Sequence, residues 1–308
     1  MPLETSWLTP GFVSRLETLR LSVRWVRAGH WLGGRFPVNR RGSSVEFADY
    51  TPYSAGDDVR AIDWNLYARL DRLYVKTYKE EIQLSVEILL DATASMGLPS
   101  AAKFERATQV ALSLGYVALT DRHHVRFSWI RPCPPTNVVG GGTGPIETSP
   151  WYHQRGDLPR MVKRAQGAET AHGHVPLSEW MTRVAASRRM RGGQAILITD
   201  GMYPPADFFR AMHALLVRNL EIKVVQVISP QELHPARLLR GGLLVDSETG
   251  HTHQLAYRPA ELEQAVVEHN ERLVRFCKRH GIPFAQHRLD ESLESFMVRT
   301  LPTRGFLE

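Results

Sequence analysis

The sequence contains few cysteines and no long apolar run. Cys133 and Cys277 are its two cysteines, and neither lies in a C-x-x-C pair. This excludes a disulfide framework and favours a reducing compartment. No stretch of about 18 consecutive apolar residues occurs, so no membrane-spanning helix is expected. Glu4 lies where a secretory signal would carry basic residues. We therefore expect a cytoplasmic protein.

The composition is that of an ordinary folded protein. Hydrophobic residues make up 43% and charged residues 23% of the chain, which argues against disorder. The formal net charge of +6 is a moderate excess over 308 residues, and no nucleic-acid reader motif accompanies it. We expect no specific nucleic-acid binding. The length indicates one α/β domain with added segments, or two modest domains.

From residue 82 onward, short apolar runs alternate with helical patterns. The apolar runs predict strands at 85–90, 124–130, 194–199, 222–228 and 282–286. The helical patterns lie at 103–119, 157–166, 177–190, 205–218, 259–280 and 290–299. This alternation predicts a doubly wound, mostly parallel α/β sheet.

Two further segments lie outside this alternation. Residues 10–29 have apolar residues at helical spacing with arginines between them, which predicts a basic amphipathic helix. That helix covers an edge of its own domain or, in the alternative, binds an acidic partner or a membrane. Residues 242–257 predict a β-hairpin. We expect residues 1–81 to pack on a main domain of residues 82–308.

Two of the predicted strands end in aspartate. Asp91 opens the sequence Asp-Ala-Thr-Ala-Ser, which places hydroxyls at Thr93 and Ser95, and Asp200 follows another strand. Strand ends of a parallel sheet share one edge, and hard cations prefer oxygen ligands. The pattern predicts a Mg²⁺ site, with Mn²⁺ and Ca²⁺ as alternatives. In the competing interpretation these residues only form a capping turn.

The same residues resemble the metal-ion-dependent adhesion site of von Willebrand factor A domains. That site has the pattern D-x-S-x-S, a separate Thr and a second Asp; here Thr93 replaces the first Ser and Asp200 is the second Asp. Thr170 has the right order for the separate Thr, and Thr143 is its competitor. The resemblance implies an open coordination position that a partner's carboxylate completes.

A second resemblance covers roughly residues 10–300. The segments 42–50 (GSSVEFADY), 53–64 (YSAGDDVRAIDW) and 246–250 (DSETG) are similar to the signature of the domain-of-unknown-function 58 family, DUF58. Ala68-Arg69 and Val75-Lys76 agree with it in order and spacing. Thr51 departs from it, at a place where the family often has Arg.

The DUF58 resemblance implies a von Willebrand factor A-like domain. Such a domain acts by binding a partner protein and does not catalyse a reaction. It also implies association with MoxR-type AAA+ ATPases as an adaptor or chaperone partner. Within the signature, Arg60, Asp63, Trp64 and Arg69 form either an internal network that supports the sheet or a docking surface for such a partner.

The alternative function is that of a Mg²⁺-dependent phosphohydrolase of the haloacid-dehalogenase type. Such an enzyme would use Asp91 as nucleophile. It needs a second Asp two residues later, where this chain has Thr93, and a downstream Lys, for which no candidate is evident.

Overall fold

A computed structural model describes residues 6–23, 46–57, 59–79, 83–131, 147–171, 175–186, 193–235, 242–245, 252–255 and 259–308. By internal contacts the chain divides into two compact units. The larger comprises residues 1–36 and 84–308, and the smaller comprises residues 37–83.

The bounds of the elements in chain order are as follows. The strands are β1 (Glu46–Pro52), β2 (Tyr74–Lys79), β3 (Ser85–Asp91), β4 (His124–Ile130), β5 (Glu147–Thr148), β6 (Gly193–Thr199), β7 (Leu220–Ile228), β8 (Gly242–Val245), β9 (Thr252–Leu255) and β10 (Phe284–Arg288). The helices are α1 (Pro10–Leu16), α2 (Trp64–Leu70), α3 (Ala102–Thr120), α4 (Leu158–Gln166), α5 (Leu177–Ala186), α6 (Pro205–Leu216), α7 (Pro230–Leu233), α8 (Pro259–Arg279), α9 (Leu293–Ser295) and α10 (Leu301–Thr303).

A six-stranded sheet organises the larger unit. Its order is β10-β7-β6-β3-β4-β5, and every neighbouring pair is parallel except β4 with the short edge strand β5. Counted along the chain within the sheet, this is the doubly wound order 3-2-1-4-5-6. The predicted fold class is therefore confirmed. In such a sheet the strand order reverses between β3 and β6, and ligands bind beyond the carboxyl ends of these strands.

Helices cover both faces of this sheet. Ile88 and Leu90 of β3 belong to one apolar cluster, to which α1, α3 and α4 contribute. Leu89, between them, belongs to a second cluster, to which α5, α6 and α8 contribute. Successive side chains of a strand point to opposite faces, so both layers are built on one continuous apolar run. Asp91 ends β3 and Asp200 follows β6, at the edge where ligands bind in such a sheet.

Helix α3 is the most deeply placed helix on its side. It contacts β3, β4, α1 and α4, and most of its 19 residues are buried. Burial of apolar side chains is expected for such a helix. Lys103, in its first turn, is a charged residue and also has no exposed surface.

The N-terminal helix is shorter than predicted. The helix expected over residues 10–29 is wrong for residues 17–23, because α1 ends at Leu16 and Leu21 forms an antiparallel bridge with Leu307. Leu19 and Leu21 are nevertheless buried. These two leucines matched a helical period in the sequence, but they are buried by a segment that follows the helix. Residues 24–29 of the predicted helix lie outside the described part.

Other predicted elements are confirmed with small shifts of their bounds. The last helix, expected over 290–299, begins at Leu293 and is interrupted by a π-helical turn, Phe296–Thr300. The predicted hairpin is present as β8 paired with β9. The smaller unit contains the antiparallel pair β1–β2 and helix α2. Among the described residues, no helix combines the length and apolarity needed to cross a bilayer.

The first residue of β6, Gly193, lies very close to the backbone of the neighbouring strand β3. Gly193 has φ of +140°, and a Cβ atom there would lie 2.2 Å from the backbone oxygen of Ser85. We expect Gly193→Ala to lower the free energy of unfolding by about 2 kcal/mol or more, measured by urea denaturation. Gly156→Ala is the control, because nothing lies within 4 Å of its added Cβ. Equal stability of the two variants would contradict this packing.

Candidate metal centre

Asp91 is the last residue of β3, and its carboxyl group is fully buried. Its Oδ1 atom accepts hydrogen bonds from the Thr93 backbone nitrogen (3.1 Å) and the Thr93 hydroxyl (2.8 Å). Its Oδ2 atom accepts one from the Thr199 hydroxyl at 2.7 Å, across the β3–β6 boundary. The donors of these three hydrogen bonds are all neutral, so they orient the carboxylate without balancing its charge.

The loop after β3 turns two hydroxyls toward the same point. Thr93 precedes a 3₁₀ turn, Ala94–Gly97, but its side chain makes no capping hydrogen bond to that turn. Its hydroxyl instead contacts Asp91 and lies 3.1 Å from the hydroxyl oxygen of Ser95. Asp91, Thr93 and Ser95 therefore form a continuous row of oxygens, which we call the oxygen row.

Thr170 lies beside this loop, as its place in the sequence predicted. A Cβ atom on Gly97 would be 3.2 Å from the Thr170 hydroxyl oxygen. The next residue, Ala171, donates its backbone N–H to the carbonyl of Ala92 at 2.9 Å and bridges to Thr93. The structure thus brings Thr170 to the loop, whereas Thr143 lies outside the described residues.

Asp200, which follows β6, is engaged differently from Asp91. Its Oδ1 atom accepts from the Met202 backbone N–H at 3.0 Å, and its Oδ2 atom accepts from the Lys103 ammonium at 3.0 Å. The same ammonium donates to Glu232 Oε1 at 2.6 Å. Asp200 is therefore half of a buried ion pair, and both of its carboxylate oxygens have partners.

Sequence reasoning missed Lys103, Glu232 and Thr199. A cation in the first turn of a helix opposes the helix dipole, so Lys103 was a visible anomaly that called for an anionic partner. Ser229 and Glu232 form a capping box at the start of α7, and the Ser-x-x-Glu spacing after a strand was a second signal. Thr199, adjacent to Asp200, had no signal of its own beyond its place at a strand end.

The electrostatics of the two aspartates differ for physical reasons. Burial, followed by the negative charge of Asp200, raises the pKa of Asp91 to about 7, although hydrogen bonds from Thr199 and Thr93 oppose the rise. Burial alone would lower the pKa of Lys103, but Asp200 and Glu232 outweigh it, so that pKa is raised. Lys103 is thus charged, and Asp91 is the carboxyl group that lacks a cation.

The oxygen row suits a small hard cation. With Mg–O distances of 2.0–2.1 Å, neighbouring ligands of an octahedron lie roughly 3.0 Å apart. The oxygen separations along the row are 2.8 and 3.1 Å. The described residues contain no group of three or more His, Cys, Asp or Glu side chains placed to hold a metal. An ion here would therefore depend on hydroxyls, and the residues present fit Mg²⁺.

The four signature residues singled out for partner binding lie in the smaller unit. Asp63 is buried and caps α2, accepting from the backbone N–H groups of Asn65 and Leu66. Arg60 and Arg69 are exposed, and Trp64 is 62% exposed. Asp63 is thus a structural cap, while the other three are on the surface.

A family comparison bears on this arrangement. The family model described as "Protein of unknown function DUF58" matches residues 49–272, which is more than half of the chain. The chain belongs to the DUF58 family. The match begins in the smaller unit and includes the oxygen row, Lys103, Asp200 and Glu232. These DUF58 residues therefore lie within the segment that defines the family.

Relatives and solved structures add context for this DUF58 protein. Uncharacterized proteins of Mycobacterium tuberculosis (Rv1480) and Mycobacterium bovis (Mb1516) are each 24% identical over 298 residues, covering 96% of this chain and 90% of theirs. The structure of the conserved hypothetical protein BatB from Bacteroides thetaiotaomicron is 14% identical with a TM-score of 0.39, covering 72% of this chain and 98% of that one. Manganese-loaded TRAP protein of Plasmodium vivax is 12% identical with a TM-score of 0.36, at 73% and 74% coverage.

The Asp91 carboxyl predicts a pH dependence of stability in the absence of divalent cations. Its pKa rises from 3.8 to about 7 on folding, so the native state holds the proton more tightly. The associated stability is present below pH 3.8 and is lost as the pH rises toward 7. With EDTA, we expect wild type to lose about 2 kcal/mol more than Asp91→Asn between pH 5 and 7.5.

Urea denaturation at a series of pH values measures this difference. Asp290→Asn is the control, because Asp290 is exposed and pairs with Arg288. It should follow the wild-type slope over this pH range. Parallel slopes for wild type and Asp91→Asn would show that Asp91 ionises normally in the folded protein.

Proposed function

We propose that this protein is a divalent-cation-dependent protein-interaction module rather than an enzyme. The observation that carries the proposal is the oxygen row at the carboxyl end of β3, which is the strand next to β6 in the sheet. It combines one buried carboxylate with two hydroxyls at ligand-like separations. Asp91, Thr93 and Ser95 would hold Mg²⁺, and Thr170 lies beside them. Asp200 would contribute as the second carboxylate, although it is already paired with the Lys103 ammonium.

A cation in such a shell would keep much of its charge. Asp91 brings a full negative charge, whereas the hydroxyls of Thr93 and Ser95 are neutral, and Lys103 already balances Asp200. A weakly neutralised Mg²⁺ attracts a further anionic oxygen more strongly than a water molecule. A carboxylate from a partner protein would then complete the site, which makes binding dependent on the cation.

Apolar side chains flank the same loops. Leu98, which follows the 3₁₀ turn after β3, is 49% exposed, and Met202, which follows Asp200, is 39% exposed. Large exposed apolar residues next to a polar site are typical of protein interfaces. A partner segment with an apolar residue beside its Asp or Glu would match this combination.

We propose a MoxR-type AAA+ ATPase, or a protein client of one, as the partner. This rests on the family resemblance, whereas the carboxylate chemistry rests on the site. Exposed Trp64, with Arg60 and Arg69, offers a second surface in the smaller unit. Exposed aromatic and arginine side chains are enriched where partners dock.

Cation binding and partner capture test the proposal together. Wild type should bind Mn²⁺ as followed by electron paramagnetic resonance, Mg²⁺ should compete, and Asp91→Asn should weaken Mn²⁺ binding at least about tenfold because a ligand charge is lost. Affinity capture from native lysate with Mg²⁺ should retain a discrete partner on wild type. EDTA and Asp91→Asn should both release it.

Asp290→Asn serves as the matched control, since it removes an exposed carboxylate from a turn of the same unit. It should bind Mn²⁺ and partner as wild type does. Identical partners on wild type and folded Asp91→Asn, with or without EDTA, would reject a metal-dependent mechanism and direct attention to Trp64, Arg60 and Arg69.

The phosphohydrolase alternative is supported less well by the site. The structure supplies a buried lysine that the sequence did not reveal, but the Lys103 ammonium bonds Asp200 and Glu232. Both oxygens of Asp91 accept hydrogen bonds, and a hydroxyl replaces the required acid at Thr93. We expect no Mg²⁺-dependent hydrolysis of p-nitrophenyl phosphate above the rate of Asp91→Asn. Turnover abolished by that variant would establish the enzyme instead.

A further inference from the structure

Lys103 makes an unusual set of contacts for a lysine. Its side chain has no exposed surface, and its ammonium lies 3.0 Å from Asp200 Oδ2 and 2.6 Å from Glu232 Oε1. It thus joins the first turn of α3 to the residue after β6 and to helix α7, which follows β7. Three neighbouring parts of the same sheet edge meet at this one charged nitrogen.

Packing alone does not account for this ammonium. Removing a lysine charge from water is costly, and buried ion pairs are often no more stabilising than apolar side chains of similar size. The first turn of a helix also disfavours a cation. An apolar residue could fill the same space in α3, but it would leave the Asp200 and Glu232 carboxylates without this ammonium, so the charge and not the packing distinguishes the position.

The position of the charge points to its role. Lys103 occupies one oxygen of Asp200, the second carboxylate of the proposed cation site, while the Met202 N–H occupies the other. We propose, resting on the proposed function above, that Lys103 is a built-in counter-ion that limits the affinity of the oxygen row for divalent cations. It is a positioning residue, because it acts through Asp200.

Charge bookkeeping supports this assignment. Asp91, Asp200 and Glu232 carry three negative charges when ionised, and the Lys103 ammonium cancels one of them at close range. A divalent ion must approach a site that already contains a fixed positive charge, which weakens binding through Coulomb repulsion. A weakly held, incompletely neutralised ion depends more strongly on a partner's carboxylate to complete its shell.

A change at Glu232 should alter the affinity for divalent cations in the opposite direction to a change at Lys103. Its Oε1 atom accepts from Lys103, whereas its Oε2 atom accepts from the Ser229 backbone N–H and hydroxyl in the capping box. Its side chain is 19% exposed, so its replacement by Gln is better tolerated than a change at Lys103. Loss of the Glu232 charge leaves the ammonium less neutralised and should weaken cation binding.

The experiment measures Mn²⁺ binding by electron paramagnetic resonance for wild type, Lys103→Met and Glu232→Gln. Lys103→Met should bind Mn²⁺ about tenfold or more tightly, and Glu232→Gln several-fold more weakly, than wild type. Lys163→Met is the control for charge alone, since Lys163 is exposed on α4. It should equal wild type. Thermal unfolding should show that Mn²⁺ raises the melting temperature of Lys103→Met more than that of wild type.

The outcomes separate this inference from the proposed function. Tight binding by Lys103→Met with none by wild type would support the counter-ion role while rejecting a cation-dependent function for the natural protein. Equal or weaker binding by folded Lys103→Met, with wild type binding, would overturn the counter-ion role alone. Weakening by both variants would assign Lys103 and Glu232 a purely structural role. Absence of binding by all the proteins would overturn both proposals.

Discussion

Two buried aspartates at the ends of adjacent strands are the constraint on which this edge of the structure depends. Asp91 and Asp200 are at most 1% exposed, and burial together with the negative charge of Asp200 raises the pKa of Asp91. Buried carboxylates are stable only with donors or counter-ions. The chain resolves the two cases differently, with hydroxyl and amide donors for Asp91 and an ammonium for Asp200. Among the described residues, Asp91 is thus held by neutral donors, whereas Asp200 is paired with an ammonium.

The topology explains why one helix serves both aspartates. The loop after β3 carries the hydroxyls and leads directly into α3, whose first turn contains Lys103. Because α3 packs against β3 and is buried along most of its length, its first turn is held firmly over the strand ends. The ammonium therefore reaches across to Asp200 after β6. Core packing of an apolar helix thus sets the geometry of a polar site at its end.

Much of the fold could be predicted because it depends on local patterns. Short apolar runs indicated each parallel strand of the main sheet, and their alternation with helices indicated a doubly wound fold. The N-terminal helix was overextended because Leu19 and Leu21 fit a helical period, although a pairing with Leu307 decides their conformation. That contact is distant in sequence. Periodicity carries no information about it.

The site shows the same division between local and distant causes. Asp91, Thr93 and Ser95 were proposed as ligands because they stand at alternate positions where one strand ends, and Asp200 because it follows an apolar run. Lys103 was not, because its partners lie 97 and 129 residues away and only the folded sheet brings them together. Asp63 illustrates the converse. The sequence left it as part of either an internal network or a docking surface, and its carboxylate caps α2 within the same segment.

The distribution of hydrogen bonds also bears on the kind of chemistry this edge can perform. A phosphohydrolase that uses Asp91 as its nucleophile needs an acid two residues later, but that position holds Thr93, whose hydroxyl donates a hydrogen bond to Asp91. The hydrogen bonds from Thr93 and Thr199 orient the Asp91 carboxyl group. The proposal of a protein-interaction site rests on this oriented carboxyl group, on the neutral hydroxyls beside it and on the exposed side chains of Leu98 and Met202. The binding strength of such a site would then be set by how completely a partner neutralises the cation, and Lys103 sets how much charge is left to neutralise.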